Sequence, residues 1–287
     1  MSFRKAWIKE ESNNIGDSAP HHINNIIVKD ASEFIQSISR PSYDSYKYNL
    51  VKSIYAGDAY ILKNAFSQDY LMDLKHEIYE WGKETPAKFH KMLDGCPDYH
   101  IINDKAPKGE NDYKSTEHSY VFFRWNKTIT KLFQDMNQYF EMVKIVSGQK
   151  PNAYIDNIPS DGIIDRLSFL HYPHNIGEIT KHHDSAKYQK MLVGATLTEM
   201  GVDYPHGEYG FYLVDKHNKK IHMENIASLG DLICVYPTLY HGVTIPRPTD
   251  GSKKIDWSDI GGRWYLQIYS PESHEVKDRE YTTAIND

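Results

Sequence analysis

The sequence Ile179-Thr-Lys-His-His-Asp184 guides the interpretation of the rest of the chain. It is typical of a short β-strand, and side chains alternate across a strand. His182 and Asp184 therefore project to one face, and His183 projects to the other. A third donor of the same kind, His241, follows a later apolar run in Tyr-Pro-Thr-Leu-Tyr-His241-Gly. Two imidazoles and one carboxylate form the facial triad that holds non-heme Fe(II) and leaves positions open for substrate and O2.

Short β-like runs separated by turns continue from Asn152 towards the end of the sequence. The runs are residues 166–172, 179–184, 191–197, 210–214, 231–236, 242–245 and 263–269. Several short strands with turns between them are typical of a sandwich or a barrel. The jelly roll, or double-stranded β-helix, is the variety that keeps a small-molecule site between its two sheets. We therefore predict a mainly β fold with N-terminal helices and a double-stranded β-helix core.

The first half of the chain has a different pattern. Helices are predicted for residues 30–39, for a segment that begins after Ser67, and for residues 128–147, because each has an apolar stripe or a helix-starting residue. Residues 1–25 have little periodicity and are expected to form a loosely attached arm. Residues 84–117 are expected to form a long loop region with at most short elements.

These patterns predict one integrated domain. Residues 1–150 would be an N-terminal extension whose helices pack on the core. Residues 151–287 would form the double-stranded β-helix with a C-terminal tail. Single all-β domains commonly reach this size.

Composition restricts the possible partners. The net charge of the 287 residues is −6, which gives no long-range attraction to a phosphate backbone and disfavours a nucleic-acid partner. No stretch approaches the roughly 18 apolar residues of a membrane span, and the N-terminus lacks the apolar run of a signal peptide. Cys96 and Cys234 are expected to be reduced thiols. We therefore expect a cytoplasmic protein that acts on a small soluble molecule, with no membrane partner.

Arg263 is a candidate partner for a buried carboxylate. Gly261-Gly-Arg-Trp-Tyr-Leu266 begins the last predicted strand, on which Arg263, Tyr265 and Gln267 share one face. A guanidinium is a permanently charged fork that matches a carboxylate, and a buried carboxylate needs such a partner. Arg247 is the competing candidate, but it lies between two prolines at a strand end. We favour Arg263.

The order His-x-Asp, His, Arg resembles the Fe(II)/2-oxoglutarate-dependent dioxygenase superfamily, in particular its phytanoyl-hydroxylase-like and prolyl-hydroxylase-like members. The segment from Gly230 to Val243 is similar to the Gly-Asp turn, apolar run and His-x-Val of that family. The resemblance implies Fe(II) bound by His182, Asp184 and His241, with 2-oxoglutarate and O2 as co-substrates. It also implies that Arg263 holds the far carboxylate of 2-oxoglutarate. The spacing between His241 and Arg263 is longer than is common in the family.

The reaction that the resemblance implies is oxidation of a small molecule, coupled to conversion of 2-oxoglutarate into succinate and CO2. Hydroxylation, desaturation and oxidative cyclisation are its known outcomes. Halogenating relatives have a small residue where this chain has Asp184, so halogenation is not expected. Two other classes remain open. A cupin-like metalloenzyme that does not use 2-oxoglutarate would need no arginine at position 263. In a non-catalytic β-sandwich binding module the histidines would be incidental.

Overall fold

The computed structural model describes residues 1–14, 19–39, 44–105, 113–129 and 131–285. Its helices are α1 (Phe3–Asn13), α2 (Ala31–Ser39), α3 (Asp44–Tyr55), α4 (Gln68–Glu84) and α5 (Leu132–Val146). Its strands are β1 (Ile26–Asp30), β2 (Ala59–Lys63), β3 (Tyr99–Lys105), β4 (Ser115–Phe123), β5 (Arg166–Tyr172), β6 (Glu178–His183), β7 (Leu192–Thr196), β8 (Gly210–Val214), β9 (Lys220–His222), β10 (Leu232–Val235), β11 (His241–Thr244), β12 (Arg263–Tyr269) and β13 (Thr283–Ala284). The predicted class, mainly β with N-terminal helices, is confirmed.

The strands from β5 to β12 have the connectivity of a jelly roll. β10, β7, β12 and β5 pair in that order, and β6, β11, β8 and β9 form a second group. Apart from β8 and β9, strands that follow one another along the chain lie in different groups, which is the double-stranded β-helix arrangement. Phe211 of β8 stacks on Tyr265 of β12 with ring centroids 6.3 Å apart, so the two groups face each other. The predicted core is confirmed.

Strand β4 closes one side of the jelly roll. Its first residue, Ser115, pairs with Ile179 of β6, and its last, Phe123, pairs with Arg166 of β5. A strand that pairs with both groups has to bend from one to the other. β3 then pairs with the outer edge of β4 over its full length. The prediction of a loop is therefore wrong for residues 99–105 and 115–117, where backbone pairing imposes strands. Residues 106–112 of that predicted loop lie outside the described residues.

The helical layer covers the outer face of one sheet. On β12, Leu266 and Ile268 are buried in the same apolar cluster as Leu71 and Ile78 of α4. Full burial of such a side chain contributes about 1.5–3 kcal/mol. The intervening side chains of β12, which include Tyr265, project to the opposite face, towards the interior of the jelly roll. The helices therefore fix the strand that borders the interior. None of the helices in the described ranges combines the length and the apolar character needed to cross a bilayer.

Helix α1 is firmly packed, so the prediction of a loosely attached arm is wrong for residues 3–13. Trp7 is only 3% exposed, its Nε1 donates to the carbonyl oxygen of Val146 at 2.6 Å, and its ring stacks on Tyr236 at 5.7 Å. The buried positions of the helix are Phe3, Ala6, Trp7 and Glu10. Because only two of these are large and apolar, the helical period is nearly invisible in the sequence.

Candidate metal centre and its cavity

Three side chains converge at the edge where β6 meets β11. His182 lies on β6, Asp184 follows the end of that strand, and His241 begins β11 directly opposite His182 in the antiparallel register. One donor atom from each lies within 4.8 Å of the others. Two imidazoles and a carboxylate at this separation suit a divalent transition metal, and three protein ligands leave further coordination positions free. The structure thus brings together the three residues that the sequence selected.

The tautomers of both histidines are fixed by the backbone. Nδ1 of His182 donates to the carbonyl oxygen of Thr180 at 2.8 Å, and Nδ1 of His241 donates to that of Leu239 at 2.7 Å. A carbonyl oxygen can only accept, so each ring carries its proton on Nδ1. Each Nε2 therefore presents a lone pair, and Nε2 of His241 lies 3.6 Å from Asp184 Oδ2. Such hydrogen bonds orient a histidine for metal binding and raise its basicity as a ligand.

The protonation states suit metal binding as well. Burial, together with the neighbouring His241, lowers the pKa of His182 to about 4. Burial alone would raise the pKa of Asp184, but the adjacent side chains of His241, His182 and Thr282 hold that pKa well below its ordinary value. The Thr282 hydroxyl also donates to Asp184. At neutral pH the site therefore has a neutral imidazole and an ionised carboxylate, the forms that bind metal.

His183 points away from this group. Its ring lies 5.3 Å from the ring of His21 and 6.1 Å from that of Tyr240, on the other side of β6. Strand alternation accounts for the difference between two adjacent histidines.

A cavity of about 670 Å³ opens beside His182 and Asp184. It lies between the two sheets and receives side chains from β3, β4, β5, β6, β12 and the segment after β12. Tyr113 forms part of its wall and stacks on His182 at 5.1 Å. A concave space of this size next to a metal site is suited to a small molecule.

Arg263 is fully buried at the start of β12, but it does not line this cavity. Its Nε donates to Oε1 of Glu224 at 2.7 Å, and its Nη2 lies 2.6 Å from the same oxygen. Burial opposes the charge of Arg263, whereas the Glu224 carboxylate raises its pKa. Nη1 of Arg263 and the hydroxyl of Tyr204 are buried without a hydrogen-bond partner in the described structure. Glu224 therefore occupies the edge of the guanidinium formed by Nε and Nη2, whereas Nη1 has no hydrogen-bond partner in the described residues.

Arg247, the competing arginine, lies elsewhere. Its Nη1 donates to Asn175 Oδ1 at 3.0 Å, and it borders a separate, smaller cavity of about 310 Å³. That cavity contains none of the three metal-site residues.

Several residues of the site were not selected from the sequence. Glu224 lies in a short 3₁₀ helix after β9, and Thr282 lies in the segment before β13. Arg166 begins β5, and Arg279 lies between β12 and β13; both line the cavity. Arg166 could have been found from its place on the inward face of a predicted strand. The other three lie in segments with no periodic pattern, so the sequence carries no signal for them.

Comparison with known proteins gives structural neighbours only. No family model matches the sequence, and no curated protein matches it. A full-length protein of Neurospora crassa, solved in complex with alpha-KG, has 13% identity and a TM-score of 0.46, covering 88% of this chain and 86% of that one. A prolyl-4-hydroxylase of Pseudomonas putida has 13% identity and a TM-score of 0.45, covering 77% of this chain and 96% of that one.

A putative 2OG-Fe(II) oxygenase family protein of Caulobacter crescentus has 13% identity and a TM-score of 0.46, covering 87% of each chain. The solved structures that this chain resembles thus include proteins described as 2OG-Fe(II) oxygenases.

Proposed function

We propose that this protein is a non-heme Fe(II)- and 2-oxoglutarate-dependent oxygenase that acts on a small soluble molecule. The observation that carries the proposal is the orientation of three donors. Nε2 of His182, Nε2 of His241 and the Asp184 carboxylate are close together, and both Nδ1 atoms are held by carbonyl oxygens. When bound there, Fe(II) with 2-oxoglutarate and O2 would supply an oxidant able to attack a C–H bond.

The side chains have separate tasks in this proposal. His182, Asp184 and His241 hold the metal on one face and leave the cavity side open to ligands. Thr282 fixes the Asp184 carboxylate by a hydrogen bond. The cavity walls orient the substrate and limit the access of water to the reacting atoms. Hydroxylation, desaturation and oxidative cyclisation are all compatible with this arrangement.

Arg263 is the proposed anchor for the far carboxylate of 2-oxoglutarate. Its unpaired Nη1 and the unpaired Tyr204 hydroxyl are donors that a buried carboxylate would satisfy. Glu224 holds the other edge of the guanidinium and fixes its plane. A bound co-substrate would then share Arg263 with Glu224.

The same ion pair favours a second candidate function. Since Glu224 already neutralises Arg263, the arginine could be purely structural, as in a cupin-like metalloenzyme that does not use 2-oxoglutarate. Both candidates use the same three metal ligands. They differ only in whether 2-oxoglutarate joins the metal.

An anaerobic titration separates the candidates. Fe(II) alone, 2-oxoglutarate alone and both together are added to the wild-type protein and to His182→Ala. The proposed oxygenase gives a visible charge-transfer absorption only when both are present, and only in the wild type. Iron binding without that absorption would favour the second candidate. Absence of iron binding would favour the non-catalytic binding module.

A further inference from the structure

Two arginines line the cavity beside the candidate metal site and form no ion pair in the described residues. Arg166 projects from the first position of β5, and Arg279 projects from the segment between β12 and β13. Nε of Arg166 and Nη1 of Arg279 are buried and have no hydrogen-bond partner in the described residues. Neither arginine forms an ion pair there. Both side chains are only partly buried, but a nitrogen that is shielded from water ordinarily has a hydrogen-bond partner, so these two N–H groups suit an anion in the cavity.

The charges of both guanidinium groups affect the same tyrosine, Tyr269. Arg166 lies over the ring of Tyr269 at 5.6 Å from its centroid. Burial raises the pKa of Tyr269 and so does Asp184, whereas Arg166 and Arg279 both lower it. Burial lowers the pKa of Arg279, and the charge of Arg166 lowers it further. Both arginines and Tyr269 line the same cavity as His182 and Asp184.

The carboxylates of the cavity form no ion pair with either arginine in the described residues. Glu272 pairs with Lys187 at 2.9 Å, and Asp184 faces a metal-site histidine. Glu280 accepts a serine hydroxyl. Burial raises the pKa of Glu117, which favours its neutral form. Glu272 acts on Arg279 only at longer range, where its charge raises the pKa of that arginine.

This pair is distinct from the proposed co-substrate anchor. In the register of β5 with β12, Arg166 pairs with Tyr269, whereas Arg263 pairs with Tyr172. These two positions are at opposite ends of β5, about 20 Å apart at the rise of a strand. A molecule as short as 2-oxoglutarate cannot reach from Arg263 to Arg166.

The rest of the cavity wall indicates what accompanies the anion. Its apolar side chains are Phe89, Ile101, Val121, Leu170 and Ile179. We propose that Arg166 and Arg279 bind the carboxylate of the substrate, and that this substrate is a carboxylic acid with an apolar body. That the bound acid is a substrate rests on the proposed function, but the anion subsite itself can be tested without turnover.

The test compares acids with their neutral amides of the same shape. Benzoate and benzamide, phenylacetate and phenylacetamide, and hexanoate and hexanamide are titrated calorimetrically into the anaerobic protein loaded with Fe(II) and 2-oxoglutarate. At least one acid is expected to bind about 10- to 100-fold more tightly than its amide, the usual effect of a charge-assisted hydrogen bond. Arg166→Gln and Arg279→Gln should each remove most of that preference. Arg247→Gln, at the separate cavity, is the matched control and should keep it.

Equal binding of every acid and its amide, or no measurable binding of any acid, would overturn the subsite.

A parallel titration with 2-oxoglutarate distinguishes the source of the carboxylate. Its affinity should be unchanged in Arg166→Gln and Arg279→Gln, and a loss of more than about tenfold would assign the anion to the co-substrate instead. The charge-transfer absorption is recorded in the same samples. If the absorption appears while acids and amides bind equally, only the subsite is wrong. If the absorption is absent while acid binding still depends on Arg166, only the oxygenase function is wrong.

Discussion

His182 and His241 lie directly opposite each other on adjacent antiparallel strands, with ring centroids 4.2 Å apart and planes inclined by 61°. One ladder of backbone hydrogen bonds therefore sets the separation of two metal ligands. Asp184 joins them just beyond the end of β6, where its backbone N–H donates to the carbonyl oxygen of Pro237 at 2.9 Å. The metal site is thus supported by strands rather than by flexible loops.

Replacement of either histidine should abolish tight metal binding. Loss of an outer-shell partner alone costs about 10- to 100-fold in metal affinity, and loss of a ligand should cost more. We expect His182→Ala and His241→Ala to show this loss in equilibrium Fe(II) binding measured anaerobically. His183→Ala is the matched control and should bind iron almost normally. Iron loss in His183→Ala with retention in His182→Ala would contradict the assigned strand faces.

Arg263 should matter for 2-oxoglutarate far more than Arg247 does. Removing one partner of a buried, charge-assisted contact typically costs about 2–5 kcal/mol, or at least about 30-fold in Kd. We expect that loss for Arg263→Gln and little change for Arg247→Gln, measured as 2-oxoglutarate titrations of the anaerobic Fe(II) protein. The opposite pattern would transfer the anchor to Arg247.

Glu224→Gln should tighten 2-oxoglutarate binding if Arg263 is the anchor. Glu224 places a carboxylate beside the guanidinium, and two carboxylates on one guanidinium repel each other. Removing that negative charge should raise the affinity for 2-oxoglutarate by about tenfold or more. The same calorimetric titration measures it. An unchanged affinity would indicate that Arg263 and Glu224 form a structural pair only.

The ion pair also predicts a stability pattern. Breaking a buried pair by removing one partner costs about 3–5 kcal/mol, whereas replacing both can be nearly neutral. Arg263→Leu should therefore lower the free energy of unfolding by about that amount, and Arg263→Leu/Glu224→Leu should recover much of it. Urea unfolding followed by circular dichroism gives both values. Additive losses in the double variant would show that the two side chains are not coupled.

Removal of an unpaired arginine from the cavity should not destabilise the ligand-free protein. Arg166 and Arg279 repel each other and have unsatisfied N–H groups, so Arg279→Gln should leave the free energy of unfolding unchanged or raise it by up to about 1 kcal/mol. The urea midpoint measures this effect. A loss above about 2 kcal/mol would reveal a structural partner for Arg279.

The three proposed metal ligands could be selected from the sequence because their signal is local. Strand alternation selects His182 over His183, and a Gly-Asp turn followed by an apolar run marks the strand of His241. Arg263 could be located on β12, but its partner Glu224 could not, since no rule connects a 3₁₀ helix with the start of a distant strand. Helix α1 was missed because Ala6 and Glu10 interrupt its apolar stripe.

The hydrogen bond from Thr282 to Asp184 spans 98 positions of the sequence. At a synthesis rate of about 5–20 residues per second, roughly 5–20 seconds separate the emergence of the two residues from the ribosome. During that time Asp184 and the edge of β6 lack both the threonine hydroxyl and the pairing with β13. A nascent chain that captured iron early would do so with an unsupported carboxylate. We therefore expect tight iron binding only after residues 282–284 have joined Asp184 and β6.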